Sequence, residues 1–290
     1  MNPTRTATLP VPAWMLAVAA MFSVQLSAAL SVPLISQVGS AGTAWLRLSA
    51  GALIFLAIAR PPLRSVHRRD IPAVVGLGVA TGLLTTFFLA AITRIPLGQA
   101  VAIEFLGPLA VAALRSHTRR ALWWPALALV GVVLLTEPWH GSVNLVGIGF
   151  AAGSAVGWGT YILLTQHIGD RFAGIDGLSL TIPIAAVTAA VAGVPQAAGH
   201  LTVEVLLVAI GLAILLPVLP FALEMIALRH MTHTAFGTLM ALEPAIGAVL
   251  GLVVLHQKPS AIQAMGVMLV VAAGALAQRG GLRHQATPPP

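Results

Sequence analysis

The sequence has no cysteine, a single tyrosine and only eight acidic residues among 290. The missing cysteine removes disulfides, thiolate metal sites and cysteine nucleophiles. Charged residues make up 8% of the chain, against roughly 25% in soluble domains. A soluble fold so short of charge would offer water little polar surface, whereas lipid-facing helices need none. No Gly-Lys-Thr phosphate loop occurs, so ATP-driven transport is not encoded in this chain. The net charge of +7 is not gathered into a basic stripe with interleaved aromatics, which argues against nucleic acid as a partner. The nine histidines fall in loops or at the ends of apolar runs and form no metal-binding pair, so no metal or cofactor is expected. No nucleophile–base set stands at membrane depth, so the chain does not read as an intramembrane enzyme.

What is present is apolar sequence. Hydrophobic residues make up 58% of the chain and the mean hydropathy is +0.95. A membrane-crossing helix needs about 20 apolar residues, with a range of roughly 17–25. Ten such spans are expected, at residues 13–34, 43–59, 71–92, 97–114, 122–136, 146–166, 178–194, 203–228, 236–255 and 261–277. The first run is too long for the apolar core of a cleaved signal peptide, about 7–15 residues. The fifth is short and begins at the Trp123–Trp124 pair, a composition suited to a membrane interface. The 28 glycines and 20 prolines would damage a soluble helical protein. In membrane helices glycine lets backbones approach, and proline is tolerated where neighbours satisfy the carbonyl it frees. Residues 280–290 are polar, end in three prolines and read as a disordered tail.

The basic residues alternate between the two sides of these spans. One side receives Arg5, Arg60, Arg64, Arg68, Arg69, Arg115, Arg119, Arg120, Arg171, Arg229, Arg279 and Arg283; the other receives Arg94 and Lys258. The positive side is cytoplasmic, which puts both termini there.

The chain also carries a faint internal repeat. A shift of 136 residues lays Ala90-Ala91-Ile92 on Ile226-Ala227-Leu228 and Pro108 on Pro244, and a shift of 134 brings Val24-Gln25 near Trp158-Gly159. Two repeats of five spans, at residues 1–141 and 142–279, would insert in opposite orientations because five is odd. The expected fold is an all-α membrane protein of ten transmembrane helices arranged as two inverted five-helix repeats.

Of the eight acids, Asp70, Glu137, Asp170, Asp176 and Glu204 sit in loops or at edges, while Glu104, Glu224 and Glu243 lie inside apolar runs. An ionisable side chain there costs at least about 2.5–3.5 kcal/mol and is a functional candidate by default. Proline at position i removes the hydrogen bond to the carbonyl of i−4. Pro108 therefore frees the carbonyl of Glu104, and Pro244 that of Met240, which are equivalent positions under the 136-residue shift. Both stretches read as broken helices lining a cavity, the alternative being kinked packing helices whose acids bond to a neighbour. Glu224 lies near the end of its span and can also pair with Arg229. Arg47 can pair with an acid, bind a substrate carboxylate or reach for the interface. Gln25, Gln99, Tyr161 and Thr238 can line a cavity or tie helices together, and Trp158 can form a wall. Pro217 and Pro220 should bend the eighth span. The pattern Gly153-Ser154-Ala155-Val156-Gly157 indicates close helix packing.

Several runs resemble a known family. Residues 96–112 (PLGQAVAIEFLGPLAVA), 219–228 (LPFALEMIAL) and 236–245 (FGTLMALEPA), with Trp158, Tyr161-Ile162-Leu163 and Leu46-Arg47-Leu48, are similar to the bacterial threonine/homoserine exporters, in the EamA-type branch of the drug/metabolite transporters. The resemblance implies ten spans in two inverted repeats, a bacterial inner (plasma) membrane location and proton-coupled efflux of small amino acids or related metabolites. Partners would be the small-molecule substrate, protons and the lipid bilayer, with a homodimer left open. The site expected from residues and resemblance together comprises Glu104, Glu243, Glu224, Tyr161, Trp158, Gln25, Gln99, Arg47 and Thr238, with hinges at Pro108, Pro244 and Pro220. The chain departs from the family at Val24-Gln25-Leu26-Ser27, where more glycine would follow the glutamine. A drug or cationic-metabolite exporter on the same scaffold is the alternative, because acids suit cations equally well.

Overall fold

The computed structural model describes residues 11–59, 68–115, 122–139, 143–168, 175–228, 230–231 and 233–282. Arg5, Arg60, Arg64, Arg119, Arg120, Arg171, Arg229, the repeat boundary at 141 and 142, and the tail beyond residue 282 lie outside the described residues.

Helices carry the described chain, in the order α1 (Ala13–Ile58), α2 (Ile71–Ile92), α3 (Leu97–Glu104), α4 (Leu106–Leu114), α5 (Trp123–Thr136), α6 (Leu145–Ile168), α7 (Ile175–Ala197), α8 (Val203–Ala213), α9 (Leu219–Leu228), α10 (His233–Met240), α11 (Glu243–Val254) and α12 (Ala261–Leu282). Among the described residues, seven helical stretches are long and apolar enough to cross a membrane, and the shorter apolar helices at 123–136 and 261–277 add to them. Local chemistry marks several starts. Pro72 opens α2, where a missing N–H costs nothing. Thr202 accepts from the Val205 N–H at 3.2 Å and Asn144 accepts from the Gly147 N–H at 2.9 Å, each satisfying an orphan donor at a helix start.

The two spans expected at 13–34 and 43–59 are joined without a loop. α1 runs 46 residues and breaks at Gly39, whose backbone has φ 76° and ψ 166°. Only glycine adopts such angles cheaply. The broken turn exposes amides, and Gln196 from α7 takes them: its Oε1 accepts from Ala41 N at 2.9 Å and Gly42 N at 3.4 Å. At the other end of the chain α12 continues to Leu282, into the stretch 280–290 read as a tail. A helix that leaves the lipid keeps its backbone bonds whatever its side chains, so apolar pattern underestimates its length.

α1 packs along α7, α8 and α9, its second limb meeting α7 where Gly42 abuts Ala197, while α2 packs on α6, α3 on α11 and α5 on α12. At the α5–α12 crossing Gly131 faces the Gly266 carbonyl and Gly266 faces the Gly131 carbonyl. A Cβ at either position would stand 2.7 or 2.6 Å from that oxygen. Neither helix could come so close with a larger residue.

Pro217 interrupts the eighth span. Between α8 and α9 the chain widens into a π-type turn, Ile214–Val218. Ser27 Oγ donates to the Leu212 carbonyl at 3.1 Å and Ser23 Oγ to the Leu215 carbonyl at 2.7 Å. Serines of α1 thus satisfy carbonyls beside the interruption, as membrane burial requires.

Candidate functional site

The span that organises the sequence splits after its acid: α3 ends at Glu104 and α4 begins at Leu106. Its counterpart splits after Met240, and α11 begins at Glu243. The interruptions at Phe105 and at Ala241-Leu242 coincide under the 136-residue shift, as the two proline positions require.

Between the broken helices lies a cavity of about 300 Å³. It gathers side chains that are distant in sequence: Gln25 and Arg47 from the two limbs of α1, Glu104 from the end of α3, Trp158 and Tyr161 from α6, Pro220 and Glu224 from α9, and Glu243 from the start of α11. The other expected residues do not line it. Gln99 turns away and its Nε2 donates to the Leu135 carbonyl at 2.7 Å, tying α3 to α5. Thr238, Pro108 and Pro244 also stand off the wall.

Burial is deep. Arg47 is 3% exposed, Glu243 6% and Glu104 7%. Arg47 Nη1 donates to Ser27 Oγ at 3.5 Å, and its charge acts on Glu104. Glu104 Oε1 is held by the hydroxyl of Ser154 on α6. Glu243 lies within electrostatic reach of two further carboxyl groups, Glu104 and Glu224, and Glu224 within reach of Tyr161. Trp158 packs edge-on against Phe105 with ring centroids 6.2 Å apart, closing the wall at the α3–α4 break. The cavity is therefore polarised: one arginine and three carboxyl groups face a space whose remaining wall combines Gln25 and threonine hydroxyls with apolar and aromatic surface.

Ser154, Thr81, Thr85, Thr181 and Pro217 are site residues that the sequence does not mark as such. Thr81 and Thr85 sit one turn apart on α2 and line the cavity with Thr181 of α7. Thr81 and Thr181 donate to the carbonyls of Leu77 at 2.8 Å and Gly177 at 3.0 Å on their own helices, leaving oxygen lone pairs for a ligand. Pro217, read only as a bend, reaches the wall itself. The available signal was spacing, since Ser154, Trp158 and Tyr161 recur at i, i+4 and i+7 on one helix face.

Comparison with known proteins gives this geometry a lineage. Residues 145–277 match the model of the EamA-like transporter family. The threonine/homoserine exporter RhtA of Salmonella typhimurium strain SL1344 is 34% identical over 277 residues, 92% of each chain. RhtA of Escherichia coli K12 is 36% identical over 276 residues, 91% of each chain. A solved crystal structure superposes with a TM-score of 0.62 at 19% identity, covering 91% of this chain and 98% of that one, which speaks for the fold alone. With relatives matched over nine-tenths of their length and apolar helices gathered around a polar cavity, this chain belongs to the EamA-like transporter family.

Proposed function

We propose that this chain is an inner-membrane secondary transporter that exports small amino acids such as threonine and homoserine, coupled to protons through Glu104 and Glu243. The observation that carries the reading is the polarised cavity: Arg47 shares one cavity with Glu104, Glu224 and Glu243. An amino-acid zwitterion needs both signs of charge. Arg47 and the threonine hydroxyls suit its carboxylate and side-chain hydroxyl, and the acids at the α9 and α11 side suit its ammonium. Size argues for a small metabolite over the drug-exporter alternative. A volume of about 300 Å³ is at the lower end of the ~300–1,000 Å³ range of pockets that enclose drug-sized ligands. The named substrates of the RhtA relatives agree with this choice.

Ten membrane crossings in two inverted five-helix repeats form the frame of this reading, with both termini cytoplasmic. Its supports are the break at Gly39, which divides the 46-residue α1 into two limbs, and the pairing of helices. α3 meets α11, α5 meets α12 and the second limb of α1 meets α7, each element against its counterpart or its counterpart's continuation. The reciprocal contact of Gly131 and Gly266, 135 positions apart, is what an internal two-fold axis through the α5–α12 crossing would produce. The family match at 145–277 spans nearly the whole second repeat.

Export then runs by alternating access. A proton binds a carboxyl group while the cavity faces the periplasm and leaves it toward the cytoplasm, and substrate moves the other way. Proteoliposomes loaded with threonine test this. Glu104→Gln and Glu243→Gln should each lower pH-driven export by roughly tenfold or more, about 1.4 kcal/mol. Unchanged pH-driven export in both variants and in their combination would remove the carboxyl groups from the coupling.

A further inference from the structure

The Ser154 hydroxyl makes two contacts that its single hydrogen cannot serve alone. It is fully buried, at 0% exposure. Its Oγ lies 3.0 Å from the Leu84 carbonyl of α2 and within hydrogen-bond distance of Glu104 Oε1. The setting leaves little freedom. Gly153 and Gly157 flank the serine and let α6 lie directly on α2, where a Cβ at Gly157 would stand 2.7 Å from the Leu84 Cβ. A hydroxyl has one proton to donate and lone pairs to accept, whereas a backbone carbonyl can only accept. If Ser154 gives its proton to Leu84, the hydrogen between Ser154 and Glu104 must come from Glu104.

We infer that Ser154 is a positioning residue that holds Glu104 as a neutral, proton-donating carboxylic acid in this conformation by directing its own hydrogen to the Leu84 carbonyl. The inference deepens the proposed transport reading and rests on Glu104 being a coupling group. Proton release then has a structural consequence. The Glu104 O–H breaks, and its proton passes to water entering the cavity. The Ser154 O–H, which stays intact, rotates from the Leu84 carbonyl to the new carboxylate, where a charge-assisted bond is stronger. The Leu84 carbonyl loses that partner, and the tie between α2 and α6 is cut. Ser154 thereby converts the charge of one side chain into a change at a major helix contact, the kind of two-state element that coupling requires.

The charged and titratable groups around Glu104 are few. Arg47 on α1 and Glu243 on α11 lie within electrostatic reach of it. Tyr161 stands about two turns beyond Ser154 on α6, beside Glu224 of α9. α2, α4 and α5 carry no titratable side chain, and the part of α12 that meets Phe105, at Gly274, is apolar.

The test combines infrared difference spectroscopy with transport by the purified, reconstituted full chain. The wild type should show a protonated-carboxyl C=O band that is lost in Glu104→Gln. The band should move to higher frequency in Ser154→Ala, as its hydrogen bond disappears, and return in Ser154→Thr. Ser154→Ala should lower pH-driven threonine export several-fold while threonine exchange at equal pH persists, and Ser154→Thr should restore it. A Glu104 band absent from the wild type, or unmoved by Ser154→Ala, overturns the assignment, whether or not Thr fits the site. If Glu104→Gln abolishes pH-driven export while both Ser154 variants leave it unchanged, the Ser154 inference falls and the coupling reading stands. If Glu104→Gln keeps pH-driven export, the coupling role of Glu104 falls and the Ser154 inference falls with it, while Glu243 is judged by its own variant.

Discussion

The two ends of the broken-helix pair differ. At one end α3 lies against α11: Gly98 abuts Ala248, Gly247 abuts Val101, and Gln257 Oε1 accepts from the Leu97 N–H at 2.9 Å. Internal symmetry would pair α4 with α10 in the same way at the other end, yet no comparable contact joins them. The cavity occupies the space between, and its wall runs toward that second end through Tyr161, Leu178 and Glu224. In the two-repeat reading proposed above, the halves would adopt unequal arrangements, packed at the α3–α11 end and unpacked at the α4–α10 end. In the orientation proposed above, the α3–α11 end would be periplasmic and the α4–α10 end cytoplasmic. The unmade α4–α10 contact describes what the other access state would form, by the same packing of small residues that closes α3 on α11.

The largest expected effect comes from locking the packed end. The chain has no native cysteine, so an engineered pair reports cleanly. A Cβ at Gly247 stands 3.3 Å from the Val101 Cβ, close to the ~3.5–4.5 Å a disulfide spans. Val101→Cys with Gly247→Cys should cross-link under mild oxidation and abolish threonine export, and reductant should restore it. Full export by the cross-linked protein would mean that this end does not open. The next effect concerns the space between the ends. Arg47→Gln removes the cavity's positive charge and a charged hydrogen-bond donor worth about 1.5–3 kcal/mol. The KM for threonine export should rise by roughly ten- to a hundredfold, whereas an unmoved KM would assign Arg47 to the protein's own charge balance. The smallest effect tests the symmetry itself. Gly131→Ala and Gly266→Ala each press a methyl group onto a facing carbonyl and should lower thermal stability in detergent by about 1–3 kcal/mol. Alanine at Gly211, which has open space around it, serves as the control. Equal losses at Gly131 and Gly266 sharpen the two-fold reading; a large loss at one and none at the other breaks it.

The readable parts of the site were those with an electrostatic cost. Glu104, Glu243 and Arg47 stand out because a charge inside an apolar run needs a reason, and all three meet at the cavity. Prolines 108 and 244 announced where the helices part, because proline acts on a known carbonyl of its own helix. Gln99 was indistinguishable from Gln25 by type and depth, yet one ties α3 to α5 and the other faces the cavity. The difference is rotation about a helix axis, which a nearly uniform apolar pattern does not encode. Ser154 looked like packing because its partners, Glu104 and Leu84, are 50 and 70 positions away.

Hydropathy alone dictates that these helices belong in a membrane, and the placement of a few charges and prolines marks where they bend and which acids matter. These are local costs, borne by each residue wherever its neighbours lie. Which of the polar groups share one cavity, that Gln196 caps the turn at Gly39, that serines of α1 bond carbonyls beside the Pro217 interruption, and which helices pack at each end of the broken-helix pair are matters of tertiary structure. They depend on contacts between helices far apart in the chain. In an apolar solvent such contacts are chosen by the fit of small residues and the satisfaction of single hydrogen bonds, not by any pattern along one helix.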